Sequence, residues 1–147
     1  MMISRREEEY LEAIYFMSRE RDVVRLADVA ERLGVRPPSA FEVLSRLASK
    51  GLVEYRGRGG VILTERGEEL ARELAAKHFA LTRFFVEILG VPREIGEEDA
   101  CYLEHKIHDE TLKRISAFLE FASSCRFNGR TLAELFREYL ERGECVQ

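Results

Sequence analysis

Val24-Arg25-Leu26-Ala27-Asp28-Val29-Ala30-Glu31-Arg32-Leu33-Gly34-Val35 runs directly into Arg36-Pro37-Pro38-Ser39-Ala40. Leu26, Val29, Ala30 and Leu33 recur at helical spacing, which predicts a short amphipathic helix stopped by Gly34. Proline suits the first turn of a helix, and Ala40, Val43, Leu44 and Leu47 supply an inward face as far as Gly51. Two short helices joined by a turn containing glycine make a helix-turn-helix. Beyond them, Leu52-Val53-Glu54-Tyr55-Arg56 and Gly60-Val61-Ile62-Leu63-Thr64 read as strands, with Gly57-Arg58-Gly59 as a tight hairpin loop. A helix-turn-helix followed at once by a β-hairpin is a winged helix.

Outward from this module, residues 4–18 predict a helix with Leu11, Ile14 and Tyr15 on one face and Glu8, Glu9 and Glu12 on another. On the other side Thr64 can cap a helix over 65–89 with Leu70, Leu74, Leu81, Phe85 and Ile88 as its stripe, broken by Gly90-Val91-Pro92. Glu97-Glu98-Asp99 favour the start of a further helix, expected to reach about residue 121. Residues 123–129 read as a loop and 131–142 as a last amphipathic helix. The expected fold class is therefore mostly α: a winged helix-turn-helix over 1–64, then an all-helical domain over 65–147. The apolar stripes after Thr64 exceed what one copy can bury, so a homodimer is expected.

At 147 residues, 46% hydrophobic and 34% charged, the chain has the composition of a soluble globular protein. No apolar run approaches the ~20 residues that span a bilayer. The start, Met1-Met2-Ile3-Ser4-Arg5-Arg6-Glu7, has no apolar stretch behind its charges and does not read as a signal peptide. Cys101, Cys125 and Cys145 are odd in number and far apart, which disfavours a disulfide framework and suits a cytoplasmic location.

The net charge of −4 argues against an indiscriminate nucleic-acid binder, but charge is unevenly placed. Residues 32–58 hold six basic groups against two acids, whereas the chain from Glu73 onward holds fourteen acids against ten bases. Positive charge thus sits where phosphates of double-stranded DNA would be met, and negative charge where cations would be held. In the helix that starts at Arg36, candidate DNA contacts are Arg36, Pro38, Ser39 and Ala40 at the leading end, then Glu42 and Arg46, with Arg58 at the wing tip. Glu42 either accepts from a cytosine amine or pairs with Arg46 four residues on.

Cys101-x-x-Glu104-His105 would point a thiol, a carboxylate and an imidazole at one spot if it lies on a helix. Glu9-x-x-Glu12 would add two carboxylates from a second helix, and His78 an imidazole from a third. Such a donor set suits a divalent transition metal. A metal site in a DNA-binding chain points to a switch rather than an enzyme. A thiol hydrolase built on Cys101 lacks a glycine-rich turn for an oxyanion site. A regulator answering to an organic ligand, or to thiol redox state through Cys101, is the alternative.

Glu9-Tyr10-Leu11-Glu12-Ala13-Ile14-Tyr15, the winged helix, Lys77-His78 and Asp99-Ala100-Cys101-x-x-Glu104-His105 together resemble the diphtheria toxin repressor and manganese transport regulator family. These are iron- or manganese-activated transcriptional repressors, and the resemblance covers about residues 4–142 in order. It implies a homodimer that binds a palindromic operator when Fe²⁺ or Mn²⁺ is held between the two domains. It also implies the two-domain form, without the SH3-like third domain of longer members. Glu9 falls where the iron branch has methionine and the manganese branch aspartate; Glu12 and His78 match manganese-branch ligands. His78 also matches an ancillary ligand of the iron branch, Glu97 falls at that branch's ancillary histidine, and Thr82 replaces a glutamate. Cys101 resembles the iron branch and favours Fe²⁺, while the hard carboxylates Glu9 and Glu12 suit Mn²⁺; of the two, Fe²⁺ is the expected metal, and Co²⁺, Ni²⁺ or Zn²⁺ would bind in vitro.

Overall fold

In the computed structural model, which describes residues 2–145, the chain packs as two units, Met1–Ala75 and Ala76–Gln147. The first opens with α1 (Arg5–Glu20). Ser4 caps it reciprocally: its hydroxyl accepts from the Glu7 amide, and the Glu7 carboxylate accepts from the Ser4 amide. α2 (Leu26–Leu33) ends at Gly34 in the left-handed conformation, and α3 (Pro37–Ser49) carries proline in its first turn, both as the sequence leads one to expect. β1 (Val53–Tyr55) and β2 (Val61–Leu63) pair antiparallel with Glu54 opposite Ile62. The tight loop between them, Gly57–Gly59, takes the form of a short 3₁₀ turn.

Two glycines are dictated by close approach. A β-carbon on Gly60, at φ 84°, would lie 2.4 Å from the Val24 carbonyl oxygen. That carbonyl accepts from the Val61 amide at 2.7 Å, so the wing is stitched to the segment ahead of α2. A β-carbon on Gly67 would lie 1.9 Å from the Leu52 carbonyl oxygen. Here the Thr64 hydroxyl donates to the Gly51 carbonyl at 2.6 Å and accepts from the Gly67 amide at 3.1 Å, which seats the start of α4 (Glu65–Arg83) on the base of the wing. Leu11, Ile14, Val29, Leu44 and Leu47 centre this unit's core, joined by Ala71 and Ala75 of α4. The packing division consequently falls inside α4, beyond Thr64, because the first half of that helix buries its apolar face in the winged-helix core.

The second unit holds the end of α4, α5 (Arg93–Leu103), α6 (Asp109–Ser124), a hairpin of β3 (Arg126–Phe127) and β4 (Arg130–Thr131), and α7 (Leu132–Arg142). It differs from the sequence expectation in three places. The helix over 65–89 leaves α geometry after Arg83 and closes with one π-helical turn, Phe84–Ile88, in which the Leu89 amide donates to the Phe84 carbonyl. The single helix expected to reach residue 121 is two. α5 starts right after Pro92 and stops at Leu103, where the Lys106 and Ile107 amides turn back on the Leu103 carbonyl. His108 is extended, and Asp109 and Glu110 supply the acidic first turn that restarts the helix as α6. Finally, the loop over 123–129 contains a hairpin turning at Asn128 and Gly129, at φ 52° and 82°; the Asn-Gly pair favours that turn.

This unit's own core is small, centred on Ile88, Leu119 and Ala122. Phe84, Phe118, Phe121 and Phe127 instead form a ladder of neighbouring rings with centroids 6.0–6.3 Å apart, and the last three are exposed. Among the described residues, no helix is long and apolar enough to cross a membrane.

Candidate metal centre and nucleic-acid interface

In the second unit, the end of α4 and the turn after α5 bring three donors together. Glu104, 1% exposed, receives the His78 ring at Nδ1, 2.8 Å from its Oε2. His105 Nε2 stands 3.2 Å from Oε1 of the same carboxylate. Oε1 accepts no hydrogen bond from the described residues, although it is sealed from water. A buried carboxylate oxygen with unused lone pairs beside imidazole nitrogen fits a divalent cation, because the ion compensates the desolvation of that oxygen. The donors are oxygen and nitrogen, suited to Mn²⁺, Fe²⁺ or Zn²⁺. With Nδ1 of His78 donating to Glu104, its Nε2 carries the lone pair that a metal takes.

The other proposed ligands lie as follows. Cys101, in the last turn of α5, is exposed, while Glu104 three residues later, still in helical conformation with its amide donating to the Ala100 carbonyl, is buried. Glu97 is exposed and accepts from Arg93 at 3.2 Å. Thr82 is buried and offers a hydroxyl, not a carboxylate. In the first unit, α1 carries both remaining candidates: Glu12 is buried, whereas Glu9 is half-buried and accepts from Arg5 at 3.0 Å. The three cysteines form no disulfide.

The nucleic-acid candidates belong to the first unit. Arg36 stands exposed at the N-cap of α3, Pro38 is exposed in its first turn and Ser39 is half-buried. Ala40 is fully buried in the core and faces away from any groove. Glu42 and Arg46 make the anticipated pair four residues apart, at 3.8 Å with both side chains exposed. Arg58 is exposed at the wing tip, while Arg56 is engaged with Glu54 at 2.8 Å.

Two features were missed in the sequence. Glu7, 3% exposed, is gripped by Lys50 of the α3 end at 2.9 Å besides its capping role. Burial pushes its carboxyl up, but the hydrogen bonds from Lys50 and Ser4 outweigh burial and hold it below its ordinary value. The Ser4-x-x-Glu7 capping box was the available signal. Phe41, exposed on α3, is the second, and its place outside the apolar stripe of Ala40, Val43, Leu44 and Leu47 was the clue.

Comparison with known proteins supplies the remaining findings. The iron dependent repressor N-terminal DNA binding domain matches residues 2–61, and the iron dependent repressor metal binding and dimerisation domain matches residues 64–132. The transcriptional regulator MntR of Escherichia coli is 40% identical over 113 residues, which cover 77% of this chain and 72% of that protein. An uncharacterized HTH-type transcriptional regulator of Methanocaldococcus jannaschii is 35% identical over 114 residues, 77% of this chain and 91% of the relative. Among solved structures, the manganese regulator SloR superposes with a TM-score of 0.69 at 32% identity, over 81% of this chain and 55% of that one.

Proposed function

The chain belongs to the iron-dependent repressor family, and on that premise we propose that it is a metal-activated transcriptional repressor whose ion is held by Glu12, His78, Glu104 and His105. It acts as a homodimer on operator DNA through its winged helix. The observation that carries the reading is the buried Glu104 with an imidazole beside each carboxylate oxygen. Of Glu9 and Glu12, Glu12 is assigned as the ligand from α1 because it is the buried one, while Glu9 is half-buried. Cys101, Glu9 and Glu97 are peripheral ligands in this proposal: the thiol would have to turn inward, and each carboxylate would have to release its arginine.

A bound divalent ion supplies positive charge and Lewis acidity to these carboxylates and imidazoles. The residues do the rest. Glu104 fixes the His78 ring and its tautomer, and keeps a second oxygen available. Glu12, on the helix whose N-terminus is tied to α3 through Glu7 and Lys50, relates ligand binding to the recognition helix. Coupling requires that the DNA-competent arrangement bind the ion more tightly than the alternatives. The preference for Fe²⁺ over Mn²⁺ rests on Cys101, since the other proposed donors suit either ion.

The test is operator affinity measured by fluorescence anisotropy with Mn²⁺, with Fe²⁺ under anaerobic conditions, and with chelator. Metal is expected to raise affinity at least tenfold, about 1.4 kcal/mol of coupling. Equal affinity in all three conditions overturns the proposal.

A further inference from the structure

The outer face of α3 is more apolar than phosphate contact requires. Pro37, Pro38 and Phe41 are all exposed, and residues three and four apart share one helix face, so these three form a single apolar strip. Phe41 leaves 52% of its surface in water. Its ring meets Tyr55 of β1 edge-on, with centroids 6.0 Å apart and planes at 83°, and Tyr55 is itself 46% exposed. The core-facing positions of α3 are already filled by Ala40, Val43, Leu44 and Leu47, so Phe41 adds little to folding. The Ser45 hydroxyl, one turn further along the strip, is turned inward to the Phe41 carbonyl at 2.7 Å.

Basic groups bracket this strip, with Arg36 at the start of α3, Arg46 further along and Arg58 on the wing. Guanidinium groups at such positions meet phosphates, which leaves the strip between them for base edges. In a major groove the apolar feature on offer is the thymine C5-methyl group. We propose that Phe41, held in place by Tyr55, reads thymine methyl groups in each operator half-site. Specificity at these positions then comes from shape and apolar contact rather than hydrogen bonding. Tyr55 does not touch the base; it positions the Phe41 ring.

This inference rests on the operator-binding reading, and the experiment separates the two. Full-length protein with Mn²⁺ is used to select duplexes from a randomised pool, and each thymine of the best duplex is replaced singly by deoxyuridine, which removes only the methyl. Wild type is expected to lose about fourfold in affinity at one or two positions per half-site, the worth of one buried methyl-sized group. Phe41→Ala should bind more weakly overall and show no further loss at those positions; Phe41→Leu should keep part of it. Tyr55→Leu should reduce the uridine penalty while leaving the salt dependence of binding unchanged, which a merely structural role would not do. If Phe41→Ala abolishes binding, the same scan on Phe41→Leu decides. Uridine tolerated at every position by wild type, or a full penalty retained without the Phe41 ring, overturns the inference alone. A wild-type protein that enriches no duplex overturns both readings.

Discussion

The two units of this chain handle apolar surface in opposite ways. Among the described residues, the winged-helix unit collects seventeen buried ones into one cluster, from Tyr10 to Ala75. The second unit collects three described residues, Ile88, Leu119 and Ala122, and leaves Phe118, Phe121 and Phe127 exposed beside them. A monomer rarely carries so many exposed aromatic rings in one row without using them. The contrast teaches that the first unit closes its core within a single chain, whereas the second leaves an apolar row exposed within the stretch that matches its family's metal binding and dimerisation domain.

The largest expected effect is in the closed core. Leu44→Ala should cost about 2–5 kcal/mol by cavity formation, measured by denaturant unfolding and independent of protein concentration. Phe121→Ala in the open unit should behave differently. Its main effect should be a shift from dimer to monomer in sedimentation at micromolar concentration, with a Tm that falls on dilution. A concentration-independent loss for both variants would erase the contrast between the units.

Next in size are the charged groups. Glu104→Gln keeps the shape of the side chain but lowers its basicity toward a cation, so metal-dependent operator binding should fall at least tenfold. An unchanged metal response in anisotropy would remove Glu104 from the site. Glu7→Gln should cost about 1–3 kcal/mol at pH 7 through the lost charged hydrogen bonds to Lys50. The Glu7 carboxyl is held below its ordinary value of 4.5, so its stabilisation is fully present above that value and fades as pH falls through the folded value. Unfolding curves of wild type and Glu7→Gln should therefore converge on acidification below 4.5; a constant gap would contradict the assignment.

The smallest effect tests the peripheral thiol. Cys101→Ser should weaken Fe²⁺ affinity more than Mn²⁺ affinity, because the softer ion loses more when sulfur becomes oxygen. Cys125→Ser and Cys145→Ser should leave both unchanged. Equal Fe²⁺-to-Mn²⁺ ratios in wild type and Cys101→Ser, read by competition titration, would place the thiol outside the coordination shell.

Local periodicity and turn chemistry carried most of the first unit. Gly34, Pro37, Gly51 and Thr64 mark real element ends, since a left-handed glycine, a first-turn proline and a capping hydroxyl act through backbone geometry that neighbours in sequence already determine. The pairing of Glu42 with Arg46 was legible for the same reason. What only the tertiary structure decided lies where packing, not spacing, sets the outcome. Cys101 and Glu104 have the separation of a shared helix face, yet one is exposed while the other is buried. His78, distant in sequence, reaches the Glu104 carboxylate because α4 continues into the second unit. Burial of a carboxylate, and hence its demand for a cation, depends on which elements close over it, and no local pattern of residues specifies that.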